Sequence, residues 1–190
     1  MIFLVAGLVL FLGSHSVQIF AAKWRADLIA RRGPGPWKGL YSALSGAGFV
    51  LLIKGYADAH GAAALWPRVP GAEHVTALLV LIGFILLVAA YWPRNHIKAV
   101  VGDPMVLGVG AWALGHLLVK SSPPALALFG GFLVWAVLDF ISLRRRAAAT
   151  TTGAPPSLVS TAGVVVVGGL AFVAFALWGH QMLIGVRPLG

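Results

Sequence analysis

Two histidines stand inside apolar runs of this 190-residue chain: His15 in FLGSHSVQIF and His116 in GVGAWALGHLL. An ionisable side chain at membrane depth costs roughly 2.5 kcal/mol or more near the centre unless it has a partner or a task. Gln18 follows His15 by three residues and shares its helical face. Around His116, Gly108, Ala111 and Gly115 form a small-residue stripe at helical spacing, and Trp112 stands four residues before the histidine on a neighbouring face. Such a stripe lets something large approach the backbone. That can be another helix packed tightly, or a flat cofactor lying between the first and fourth apolar runs with a histidine from each. Two neutral imidazoles without a thiolate or carboxylate make a poor closed zinc site, which takes four ligands. They suit the two axial positions of a b-type haem in a helical bundle. The structural alternative for His15 is a neutral ring satisfied by hydroxyls such as those of Ser42 or Ser45. The chain has no cysteine, which excludes disulfides, thiolate ligands, a cysteine nucleophile and covalent c-type haem attachment together.

The elements that must position these residues follow from composition. Hydrophobic residues make up 59% and charged residues 10%, the signature of an integral membrane protein. Charges and turn residues divide the chain into six apolar runs: Ile2 to Ala22, Trp37 to Tyr56, Val75 to Trp92, Pro104 to Val119, Ala125 to Leu143 and Leu158 to Trp178. Most approach the roughly 20 residues of a spanning helix. The fourth is shortest and lengthens only by taking in Ala99 to Asp103. The expectation is therefore an all-α, polytopic membrane bundle of about six transmembrane helices, one integral-membrane domain over residues 1–190. Basic residues follow the first run and none precedes it, which favours a retained anchor over a cleaved signal peptide.

The net charge of +9 does not imply nucleic acid, because the basic residues sit in short clusters between apolar runs. Lys23, Arg25, Arg31, Arg32, Lys38, Arg94, Lys98, Arg144, Arg145 and Arg146 fall on one side, against Lys54, Arg68, Lys120 and Arg187 on the other. The richer side belongs in the cytoplasm, which puts both termini in the periplasm of a bacterial inner membrane. RRGPGP (31–36) and AAATTTGAPP (147–156) read as cytoplasmic connections.

Depth complicates the histidine pair. His116 lies four residues from the outward Lys120, whereas His15 lies thirteen residues beyond the outer end of its run. At about 1.5 Å per residue the levels differ by more than roughly 10 Å. By depth His74 or His180 would suit His116 better. A steep tilt, or a fourth helix ending beneath the surface with Ser121 to Pro124 turning inside the protein, would reconcile His15 with it. His60 and His74 flank an outer loop and His96 lies in an inner one. Asp103 before Pro104 reads as an N-cap with proline at the first helical position, and Asp139 as the partner of a cytoplasmic arginine. No hydrolase, zincin, P-loop or dinucleotide motif stands in a chemical context.

The stretches FLGSHSVQIFAAKWR, WKGLYSALSGAGFVLLIKGYA, LWP, FILLVAAYWPRNHIK, DPMVLGVGAWALGHLL and FGGFLVWAVLDFISLRRR together resemble the NnrU family of bacterial membrane proteins. That family is named for a gene associated with nitrite and nitric oxide reduction in denitrifiers. It is related to 15-cis-zeta-carotene isomerase, a membrane enzyme of plants and cyanobacteria that uses haem b to isomerise a carotenoid double bond. The resemblance implies haem b, with the histidine of the HS pair falling on His15 and that of the WAxxHLL stretch on His116. It implies a role in nitrogen-oxide metabolism or a haem-dependent isomerase. The partners would be the bilayer and either an apolar polyene or a diatomic gas ligand. Family members commonly read HPM where this chain has Asp103, Pro104 and Met105; if that histidine serves the family as a ligand or proton donor, the activity would be altered here. The alternative function is a haem-free membrane accessory or assembly factor for a nitrogen-oxide reductase. Transport through the bundle ranks last.

Overall fold

A computed structural model describes residues 1–59, 61–146 and 155–188. The described residues are mostly helical, with short connections and without strands. We number the helices α1 (Ile2–Phe20), α2 (Ala22–Arg32), α3 (Pro34–Ala57), α4 (Ala72–Tyr91), α5 (His96–Val101), α6 (Pro104–Val119), α7 (Pro123–Arg146) and α8 (Leu158–Ile184). α7 and α8 each contain one π-helical turn, at Leu126–Gly130 and Phe175–Gly179. Five helices, α1, α3, α4, α7 and α8, are long and apolar enough to cross a membrane, and α6 is a shorter apolar helix of 16 residues. The chain is a helical membrane bundle. Large apolar side chains such as Ile2, Val9, Phe20, Val159 and Leu170 remain exposed on its flanks, where lipid replaces water as their solvent.

Small residues set the packing order, because apolar helices gain nothing by leaving lipid and associate by close fit. α1 and α3 run antiparallel through Gly7, Gly48 and Gly55. A Cβ on Gly48 would stand 2.7 Å from the backbone nitrogen of Phe11, and one on Gly55 would strike Leu4. α4 and α6 run antiparallel with Gly83 and Gly108 backbone to backbone, and Gly168 of α8 admits Ile85 of α4. α7 packs on both α1 and α6, so the helices follow the order α3, α1, α7, α6, α4, α8.

The connections differ from their sequence reading. RRGPGP does not form a loop: α2 continues through Arg32, Gly33 turns at φ +77, and Pro34 opens α3. AAATTTGAPP falls largely outside the described residues, as does His60. The fourth run is not lengthened by Ala99 to Asp103, because Gly102 breaks α5 from α6 at φ +77. Asp103 occupies the N-cap position with Pro104 behind it, but its side chain makes no capping hydrogen bond. Arg144 reaches from α7 to the Val101 carbonyl at the end of α5. Asp139 pairs with Arg146 at 3.7 Å, as its place before the arginine triplet predicts.

Candidate functional site

The backbone of each helix, rather than the serines, determines how its histidine is held. On α1, His15 Nδ1 lies 2.7 Å from the Phe11 carbonyl oxygen; on α6, His116 Nδ1 lies 2.8 Å from the Trp112 carbonyl oxygen. A carbonyl oxygen only accepts, so in both rings Nδ1 carries a proton, and in the neutral ring Nε2 is the nitrogen with the lone pair. Ser45 bonds Ser14 at 3.1 Å instead, and Ser14 Oγ is 3.5 Å from His15 Nδ1. The hydroxyl explanation of His15 is thus replaced by a bond to its own helix.

Aromatic rings connect the two histidines. His15 stacks on Phe11 at 4.3 Å, and Phe11 meets Phe132 of α7 at 5.6 Å. Phe132 meets Trp112 at 5.4 Å, and His116 stacks on Phe129 of α7 at 4.5 Å, with Trp112 5.3 Å away. Both histidines therefore flank one aromatic layer centred on Phe132. Each lies four residues past its contact in that layer, on helices of opposite direction, so their Cα atoms stand about 12 Å apart along the bundle. Helical side chains lean toward their own N-terminus, which tilts both rings back toward the layer. The turn after α6 is covered by the outer connection, with Ser121 buried and its hydroxyl donating to the Trp66 carbonyl at 2.9 Å, while the two histidines keep the difference in level that their sequence positions predict. The structure brings His15 and His116 to one layer but not face to face, because α7 lies between α1 and α6.

Gly108 and Gly115 have a different neighbour from the cofactor face anticipated. α4 fills the space beside them, with Gly83 and Leu86 against Gly108 and Thr76 and Leu79 against Gly115. Thr76 also donates its hydroxyl to the Gly115 carbonyl at 2.7 Å. For these two glycines tight helix packing prevails, since a Cβ at Gly108 would stand 2.9 Å from the Gly83 oxygen.

Trp112 stays in the site, with its ring between Phe129 and Phe132. Gln18 also stays, with its Oε1 buried and unpartnered. A residue the sequence reading missed accompanies it: Trp135 of α7 meets His15 edge-on at 5.9 Å, is 9% exposed, and leaves its indole N–H without an acceptor. No sequence signal set Trp135 apart from the other tryptophans. Tyr41 of α3 adds a further wall to His15 at 5.1 Å.

The other described histidines make no ring contact or hydrogen bond with His15 or His116, although His180 lies close enough to His116 to interact with it electrostatically. His74 is exposed at the start of α4, with no ring contact or hydrogen bond to His116. His180 Nδ1 donates to the Val186 carbonyl at 2.7 Å. His96 ties α5 to α8 through Thr161, whose hydroxyl oxygen lies 3.0 Å from its backbone nitrogen and 2.9 Å from its Nδ1.

The family described as NnrU protein matches residues 3–188. No curated protein and no solved structure matches the chain.

Proposed function

The chain belongs to the NnrU family, and from that premise we propose that it binds haem b within the bundle, with His15 and His116 as the iron ligands. The observation that carries this reading is the matched preparation of the two imidazoles. Each Nδ1–H is fixed by a carbonyl, at 2.7 and 2.8 Å, which leaves Nε2 as the donor. Metal-ligating histidines are held in this way by the hydrogen bond of the other ring nitrogen.

The donor chemistry and the apolar aromatic character of the lining suit the group. Phe11, Phe129, Phe132 and Trp112 supply apolar aromatic walls. The orphaned Trp135 N–H suits an acceptor such as a porphyrin carboxylate, and the orphaned Gln18 oxygen suits a donor. When bound, the group would supply an iron centre for a diatomic ligand in nitrogen-oxide metabolism, or for an apolar polyene arriving from the bilayer as in a zeta-carotene-isomerase-like reaction. The chain's own part is to hold iron through two imidazoles, fix their tautomers and keep water from the aromatic layer. With the basic end of the bundle facing the cytoplasm of a bacterial inner membrane, His116 would lie toward the periplasmic side.

One observation favours a second reading, that of a haem-free accessory protein for a nitrogen-oxide reductase: α7 lies between the two histidine helices, and α4 fills the glycine stripe. Absorption spectra decide between them. The detergent-purified protein, supplied with haem during expression, is expected to show a Soret band and split visible bands on dithionite reduction, weakened in His15→Ala and His116→Ala. A folded protein that stays colourless after haem reconstitution would overturn the haem reading and favour the accessory one.

A further inference from the structure

At the end of the bundle opposite the arginine triplet, a cavity of about 230 Å³ opens where α3 and α6 end and α7 begins. Tyr56, Trp66, Arg68, Leu118, Lys120 and Ser122 contribute to its lining. The volume is below the roughly 300–1,000 Å³ of pockets that take drug-sized molecules, which selects a small group. The wall is held in place from both sides. The Leu65 backbone N–H donates to the Ser121 carbonyl at 3.3 Å, and the Ser121 hydroxyl donates to the Trp66 carbonyl at 2.9 Å, pinning the 58–71 connection over the end of α6.

The charge in this cavity has one sign. Among the described residues no carboxylate lines it, while Arg68 and Lys120 both do. The Lys120 ammonium has no ion-pair or hydrogen-bond partner among the described residues. Arg68 meets Glu73 at 3.5 Å, but both side chains are largely exposed. A surface pair of that kind contributes little and leaves further guanidinium N–H groups free to donate. Arg68, Lys120 and Ser122 in the lining of one small cavity are the residue types that hold a tetrahedral oxyanion, through a guanidinium fork, an ammonium charge and a hydroxyl.

We propose that this cavity binds a phosphate group through Lys120 and Arg68. The source is either a phospholipid headgroup from the adjoining leaflet or phosphate free in solution. The cavity is also two rings from the histidine site, because Tyr56 meets Phe129 edge-on at 5.7 Å and Phe129 stacks on His116. The proposal needs no cofactor and stands or falls apart from the haem reading.

The test is calorimetric titration of the full chain in an uncharged detergent. One arm uses inorganic phosphate, and the other a short-chain phosphatidylglycerol below its critical micelle concentration. Saturable binding is expected in at least one arm, weakened about tenfold or more by Lys120→Gln and by Arg68→Gln and unchanged by Lys38→Gln at the opposite end. Both cavity side chains are exposed, so the variants keep the fold. Binding of inorganic phosphate identifies a soluble source, and binding of the lipid alone identifies the bilayer. No saturable binding in either arm, or binding that Lys120→Gln and Arg68→Gln leave intact, overturns the proposal.

Discussion

The imidazole of His15 stacks on the ring of Phe11 at 4.3 Å and donates its Nδ1–H to the carbonyl oxygen of that same residue at 2.7 Å. One residue, a helical turn earlier, thus sets both the plane and the tautomer of the ring. For His116 the two tasks are divided, with the Trp112 carbonyl accepting the Nδ1–H at 2.8 Å and Phe129 stacking on the ring at 4.5 Å.

This arrangement fixes what nitrogen spectroscopy should find. In haem-free protein labelled with ¹⁵N-histidine, the resonances of His15 and His116 are expected to show a protonated Nδ1 and an unprotonated Nε2. Protonation at Nε2 in either ring would remove the observation on which the ligand assignment rests.

Phe132 is the ring through which Phe11 and Trp112 meet. Full burial makes Phe→Ala cost roughly 3–5 kcal/mol, and Phe132 is half-buried, so Phe132→Ala should lower stability by about 2 kcal/mol. Denaturant titration in detergent micelles measures it. A loss below about 0.5 kcal/mol, the scale of an ordinary surface substitution, would mean that the layer is not a packing unit.

Two glycines on α3 make a matched pair. Gly48→Ala places a Cβ 2.7 Å from the Phe11 backbone nitrogen, which must push α1 and α3 apart, whereas Gly46 has open space around it. We expect Gly48→Ala to lose about 1–3 kcal/mol and Gly46→Ala to be neutral or to gain up to about 1 kcal/mol from helix propensity. Equal thermal midpoints for the two variants would contradict the close approach of these helices.

Asn95 is 2% exposed and joins two helix ends. Its Nδ2 donates to the carbonyls of Ala89 at 3.0 Å and Trp92 at 2.7 Å, while its Oδ1 accepts from Lys98 N–H at 2.8 Å. Asn95→Leu strands one buried and two partly buried backbone groups and should cost about 2 kcal/mol, since a buried unsatisfied group costs about 1–3 kcal/mol and a partly buried one less. Asn95→Asp keeps the acceptor and should recover the Lys98 contact alone. Hydrogen exchange at Lys98 distinguishes the two, with protection retained only in the aspartate variant.

The absence of native cysteine makes orientation directly readable. In intact cells Ala64→Cys is expected to react with a membrane-impermeant maleimide, and Arg32→Cys only after permeabilisation, as ten basic residues on one side and four on the other require. The reverse pattern would invert the assignment of the two ends.

Membrane residence and the six apolar runs are legible in the sequence because spanning lipid imposes a length and an apolarity on each segment separately. Ile2, Tyr91 and Val119 end their helices within a residue or so of where charge or turn chemistry demands it. The pairing of Asp139 with Arg146 is legible for the same reason, both lying on one helix. α2 was not legible, since a short polar helix between two spans carries no apolar run to mark it. Nor was the neighbour of each face. In lipid every face of these helices is apolar, so periodicity cannot say that α4 takes the stripe of Gly108 and Gly115, or that α7 stands between His15 and His116. That choice depends on small residues meeting their complement on helices distant in the chain, as Gly83 meets Gly108. It also decides the site: the sequence singled out the two histidines, and only the tertiary structure added Phe132 and Trp135 from α7 to them.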